Sequence, residues 1–154
     1  MSVHDGILKR AIKVAEESQY YPFQIGALVF KGSRIFAEGK NKVGSSSRIK
    51  DRDKFVKCSV HAEADVLSKL SNDKTKGASL IIIRLNSGTK KMSNGKPCEF
   101  CQRMIYEKGI KKVYVSNSDG KLTEYKVVEP KGKLVVDYEK KEHSYSDKFI
   151  RRIR

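Results

Sequence analysis

Four residues in two short stretches are of types that do chemistry together: His61 and Glu63 in His61-Ala62-Glu63, and Cys98 and Cys101 in Pro97-Cys98-Glu99-Phe100-Cys101. An imidazole and two thiols are zinc ligands. A catalytic zinc keeps three protein ligands and an open position for water, whereas a structural zinc closes with four. His61, Cys98 and Cys101 make such a three-ligand set, with Zn2+ as the expected cofactor. Glu63, two residues beyond His61, can then approach the water instead of the metal. Zinc lowers the pKa of bound water to about 7, and one mobile carboxylate can take that proton and deliver it elsewhere. A hydrolysis with Glu63 as proton shuttle follows. The alternative uses Cys58: Cys58-x-x-His61 with Cys98-x-x-Cys101 closes a Cys3His structural site, and Glu63 becomes an ordinary helix carboxylate.

The scaffold must bring residues 61 and 98 together. Each falls at the start of an expected helix. One runs from Val60 or His61 through Leu70, burying Ala64, Leu67 and Leu70. The other runs from about Cys98 to Gly109, where glycine suits a left-handed cap. Helix N-termini offer unpaired N–H groups and partial positive charge, which favour the thiolate that binds metal. Pro97 precedes the second helix, where a missing N–H costs little. Glu99 and Phe100 fill the positions between the cysteines, and Phe100 reads as core or pocket wall.

Around these helices the chain alternates. Asp5 is the expected cap of a first helix, with Ile7, Leu8, Ala11, Ile12 and Ala15 as its apolar stripe, and Pro22 closes the segment. Gly26 to Phe30 and Arg34 to Ala37 read as strands joined at Lys31-Gly32-Ser33. Residues 42 to 57 and Asn86 to Pro97 read as basic loops. Ser79 to Leu85, nearly all apolar, suits a central strand covered on both faces. Lys112 to Ser116 and Lys121 to Val128 read as strands around an Asp119-Gly120 turn. Leu134-Val135-Val136 and a basic helix fill the tail. The order α, β, β, α, β, α, β, β predicts an α/β domain of three layers, a mixed sheet of about five strands with helices on both faces.

Ser59-Val60-His61-Ala62-Glu63-Ala64 and Lys96-Pro97-Cys98-Glu99-Phe100-Cys101 resemble the cytidine/deoxycytidylate deaminase superfamily, whose signature is H-x-E followed by P-C-x-x-C. Gly26-Ala27-Leu28-Val29 through Glu38-Gly39-Lys40-Asn41 resembles the first hairpin of that family, and Gly109 through Tyr114 its passage from helix to strand. The resemblance spans roughly residues 5 to 116. It implies a cytidine deaminase-like fold and attack of water on the ring carbon that bears the amino group, with loss of ammonia. It also implies that Asn41 contacts substrate sugar or base, that backbone N–H groups near Ala62 and Cys98 position the base, and that the chain forms homo-oligomers. The stretch from Glu63 to Pro97 is longer than in compact members, and the chain after Tyr125 has no clear counterpart.

Substrate class stays open between three readings. The leading one is a cytosine-containing nucleoside or nucleotide: cytidine, deoxycytidine or dCMP. The second is a nucleic-acid editor acting on cytosine or adenine in tRNA, other RNA or single-stranded DNA. The third is a non-enzymatic structural zinc module. A net charge of +15 from 33 basic and 18 acidic residues attracts phosphates or simply keeps the chain soluble. Lys40 to Lys57 carries seven basic residues, and Lys131 to Arg154 eight. We expect residues 1–130 to form the deaminase domain and 131–154 a basic C-terminal tail of it. Three cysteines, with no signal-like N-terminus, suggest reduced thiols and a cytoplasmic setting. No apolar run is long enough to span a bilayer. His4 and His143 read as solvated, and Tyr20, Tyr21 and Phe23 as core or as a stacking surface. Ser116 to Asp119 borders a pocket or forms a turn.

Overall fold

The computed structural model describes residues 3–18, 23–43, 59–128 and 141–143, and the account below concerns these. The elements run α1 (Asp5–Glu17), β1 (Phe23–Lys31), β2 (Arg34–Lys40), β3 (Lys42–Val43), β4 (Ser59–Val60), α2 (Ala62–Ser68), α3 (Asn72–Thr75), β5 (Ser79–Asn86), β6 (Met92–Ser93), α4 (Glu99–Glu107), β7 (Lys112–Ser116), β8 (Leu122–Lys126) and β9 (Lys141–His143).

One sheet runs in the order β2-β1-β5-β7-β8-β9, with the short β6 pairing β5. β5 pairs antiparallel with β1 and parallel with β7. It is therefore the central strand that its apolar run predicts, and Leu80 through Ile83 are fully buried. A parallel pair needs a crossover. Here the connection from β5 to β7 contains α4, so the helix headed by Cys98 lies against the sheet.

Strand alternation sorts the core into two layers. Leu28, Phe30, Ile81 and Ile83 cluster with Ile7, Leu8, Ala11, Ile12 and Ala15 of α1. Ala27, Val29, Leu80 and Ile82 cluster with Ala62, Val66 and Leu67 of α2 and Ile105 of α4. The sheet is thus mixed, with helices on both faces. The five long strands are those expected; the short β6 and β9 extend the sheet, and β3 pairs with β4 apart from it.

The differences from expectation are local. The cap of α1 is His4, whose Nδ1 accepts from the Gly6 N–H at 3.2 Å; Asp5 is the first helical residue. Lys42–Val43, expected in a loop, is a strand because it pairs with Ser59–Val60; that partner lies far along the chain and leaves no short-range signal. α2 ends at Ser68 and a separate turn of helix, α3, follows. Leu67 is buried, whereas Ala64 and Leu70 are half-buried. Gly109 has φ 76°, the left-handed cap that its sequence position suggests. Pro22, Tyr20, Tyr21, Cys58, Leu134-Val135-Val136 and the basic end of the tail lie outside the described residues.

Candidate active site

The two chemistry-bearing stretches meet at helix heads. His61 is the N-cap of α2 and Cys98 the N-cap of α4, with Cys101 in the first turn of α4. α2 and α4 lie side by side on one face of the sheet. α2 is seated closely because β2 carries Gly39 beneath it. A Cβ on Gly39 would lie 2.6 Å from the Val66 nitrogen and 2.7 Å from the Ala62 oxygen, closer than backbone atoms permit. Only glycine allows that approach.

His61, Cys98 and Cys101 form the group of possible metal ligands among the described residues, with all ligand atoms within 4.8 Å of one another. His61 Nδ1 lies 3.4 Å from Cys101 Sγ and 3.6 Å from Cys98 Sγ. A tetrahedral zinc with Zn–N of about 2.0 Å and Zn–S of about 2.3 Å needs N···S separations of roughly 3.5 Å. The donor types and their spacing fit zinc. Cys101 is buried and Cys98 exposed. The hydrogen bond from the Cys101 thiol, then the one with His61, pull Cys98 down to about 4, so its sulfur is the first to ionise. The same bond to Cys98, followed by burial, pushes Cys101 up. Hydrogen bonding to Cys98 raises His61.

Glu63 is 4% exposed. Burial raises its pKa above the usual carboxylate range, against the pull of its own backbone N–H and of His61. Ala62 is fully buried at the head of α2. Asn41, just past β2, is buried and largely committed to the fold. Its Oδ1 accepts from Ser18 Oγ at 2.6 Å and from the Ile25 N–H at 2.8 Å, and its Nδ2 donates to the Phe23 carbonyl at 2.9 Å. Among the described residues one Nδ2 hydrogen has no partner.

A cavity of about 250 Å³ is lined by Phe23, Ile25, Asn41, His61, Glu63, Arg84, Gly95, Lys96 and Cys98. It opens at the carboxyl end of β5, where ligands of open α/β sheets settle. The structure brings Asn41, His61, Glu63 and Cys98 into it, while Ala62 is not in its lining. Phe23, read from sequence as core or a stacking surface, lies in the wall, and Ile25, Arg84 and Lys96 join it without a sequence expectation as site residues. The available signal was Arg84, a charge inside an otherwise apolar run. Phe100, expected in the core or pocket wall, is instead 68% exposed. The α4 face that turns inward carries Cys101 and Ile105, and Phe100 precedes it by about 100° of helix. Ser116 ends β7 beside the site. Its Oγ accepts from the Arg84 N–H at 2.9 Å and donates to the Ser93 carbonyl at 2.7 Å, fastening the loop before Pro97. A larger cavity, about 700 Å³, lies among Val3, Phe30, Lys31, Lys111 and Tyr114. Neither His61, Glu63 nor either ligand cysteine lines it.

Residues 1–117 match the cytidine and deoxycytidylate deaminase zinc-binding region, and the chain belongs to that family. It is a deaminase hydrolase with the zinc-binding region of its family. No curated protein matches the chain in sequence. Among solved structures, cytidine deaminase from Burkholderia pseudomallei is similar at a TM-score of 0.58 and 17% identity, covering 81% of this chain and 93% of that one, a likeness of fold. The dCMP deaminase from the cyanophage S-TIM5 in apo form has a TM-score of 0.46 and 25% identity, covering 77% of this chain and 89% of that one. Cytidine deaminase from Mycobacterium leprae has a TM-score of 0.45 and 21% identity, covering 73% and 86%. No helix among the described residues is long and apolar enough to cross a membrane.

Proposed function

We propose that the chain hydrolyses the amino group of a cytosine-containing nucleoside or nucleotide, with Glu63 as proton shuttle and His61, Cys98 and Cys101 as zinc ligands. The observation that carries this reading is the convergence of a buried carboxylate with two of the three ligand side chains on one small cavity. When bound, zinc supplies the Lewis acidity that makes water nucleophilic near neutral pH. Glu63 takes a proton from the attacking water and passes it to the ring nitrogen beside the reacting carbon. It then carries the second proton to the amine, which leaves as ammonia while the carbonyl forms. Asn41 offers its remaining amide hydrogen to sugar or base, and backbone N–H groups near Ala62 and Cys98 help position the base.

The match to the cytidine and deoxycytidylate deaminase region favours a free nucleoside or nucleotide. The net charge of +15 favours a second reading, an editor of RNA or single-stranded DNA. An ammonia-release screen of the zinc-loaded protein tests both. The expected outcome is release from cytidine, deoxycytidine or a monophosphate of either. Turnover on oligonucleotides alone would establish the second reading. Silence throughout, with zinc lost in Cys58→Ala, would leave a structural zinc module. Zinc content should also collapse in His61→Ala, Cys98→Ala and Cys101→Ala, and a retained full equivalent in any of these would remove that ligand from the set.

A further inference from the structure

Arg84 has no structural explanation sufficient for its cost. It sits on β5 two residues past Ile82, on the same face of the strand, where the α2 and α4 layer ends and the cavity begins. Its guanidinium lies over the Phe23 ring, 3.9 Å from the centroid. One nitrogen makes a long 3.4 Å hydrogen bond to the Asn94 carbonyl. Nε is buried and has no hydrogen-bond partner among the described residues. A guanidinium carries five donors in a fixed fork, and burying one without a partner is unfavourable. Lys96 stands on the same cavity wall. Glu63, the one carboxylate among the described lining residues, belongs to the chemistry. Lys96 Nζ sits 5.7 Å from the Tyr125 ring centroid, a long side chain within reach of the same opening, and a guanidinium at a cavity wall suits an anion with several oxygens.

We propose that Arg84, assisted by Lys96, is the specificity-determining residue that takes the phosphate of a cytosine nucleoside monophosphate. This rests on the cytosine reading given above. It turns that reading from nucleoside or nucleotide into nucleotide. Stacking on Phe23 holds the fork flat, so little side-chain freedom is lost when phosphate arrives.

The test is equilibrium binding of uridine, UMP, ribose 5-phosphate and a uracil-containing oligonucleotide to the zinc-loaded wild type, Arg84→Ala and Arg84→Lys. In Arg84→Ala, UMP affinity should fall about 10–100-fold and uridine affinity by less than about twofold, the scale of lost charge-assisted hydrogen bonds. Ribose 5-phosphate should follow UMP, and Arg84→Lys should recover part of the loss. Equal losses for uridine and UMP would make Arg84 a structural clamp and overturn the proposal. So would unchanged UMP binding, or dependence on Arg84 for the oligonucleotide alone. Ribose 5-phosphate held through Arg84, with no binding of UMP or uridine, would keep the anion site and sink the cytosine reading. Uridine and UMP bound alike by all three proteins would do the reverse. Should Arg84→Ala fold poorly, the UMP-to-uridine affinity ratio in Arg84→Lys and Arg84→Gln decides, because a general loss of folded protein cancels from it.

Discussion

α2 carries two buried carboxylates two residues apart, and the protein treats them in opposite ways. Glu63, 4% exposed, faces the cavity with no ion pair to a lysine or arginine among the described residues, and burial drives its pKa up. Asp65, 7% exposed, faces the other way. It receives the Lys40 N–H at 3.1 Å, Lys42 Nζ at 3.0 Å and Lys69 Nζ at 3.3 Å. Burial works on Asp65 too, but Lys42, the Lys40 N–H and Lys69 together overcome it and hold its pKa below the usual range. A carboxylate kept mobile in its proton is suited to chemistry. One locked in its charged form by three donors is suited to fastening α2 to the end of β2 and to β3.

That contrast predicts different losses on removing each group. Glu63→Gln should lose ~10²–10⁴-fold of turnover while keeping zinc and its melting temperature, because a neutral isostere relieves a buried acid. Unchanged turnover would refute its role. The seat beneath both carboxylates comes next. Gly39→Ala forces a methyl onto the α2 backbone and should cost about 1–3 kcal/mol or more, with turnover falling as α2 is displaced. Full stability by chemical denaturation would contradict the close approach. Asp65→Asn should lose about 1–3 kcal/mol of stability with turnover on the remaining folded protein nearly intact, the reverse of Glu63→Gln. Its pH dependence follows from the sign of the shift. A depressed carboxylate contributes stability above its unfolded pKa of about 3.9, lost as pH falls through the lower folded value. The gap between wild type and Asp65→Asn should therefore be constant above about pH 5 and close below about pH 4. A gap that persists in acid would assign the loss to packing. Lys69→Met should be the smallest effect, under about 1 kcal/mol and sensitive to salt, since this lysine is half exposed.

The sequence shows the chemistry of the site more plainly than its walls. His61, Glu63, Cys98 and Cys101 are legible because ligand spacing within a helix turn is local, and the two stretches need only meet. α1, β1, β2, β5, α4, β7 and β8 are legible from periodicity for the same reason. β3 with β4 and β6 with β5 are two-residue pairings whose partners are remote or lie across an irregular loop, and periodicity has no purchase on them. The capping by His4 is hidden in the sequence because a more usual capping residue, Asp5, stands next to it. Phe100 shows the limit of hydrophobicity as a guide: it is apolar, but its place on α4 turns it to solvent.

By itself, then, the chain determined its candidate ligand types, the carboxylate proposed as proton carrier and its α/β alternation, each written within a few residues of itself. Tertiary structure alone decided that Asn41 spends most of its amide on Ser18, Ile25 and Phe23, that Asp65 is caged by lysines from two elements, and that Arg84 leaves the core of β5 to stand over Phe23 at the cavity wall. Each of those outcomes depends on contacts between distant segments. Whether a polar group is free to act is settled by which partners the fold places around it, and residue type alone does not contain that.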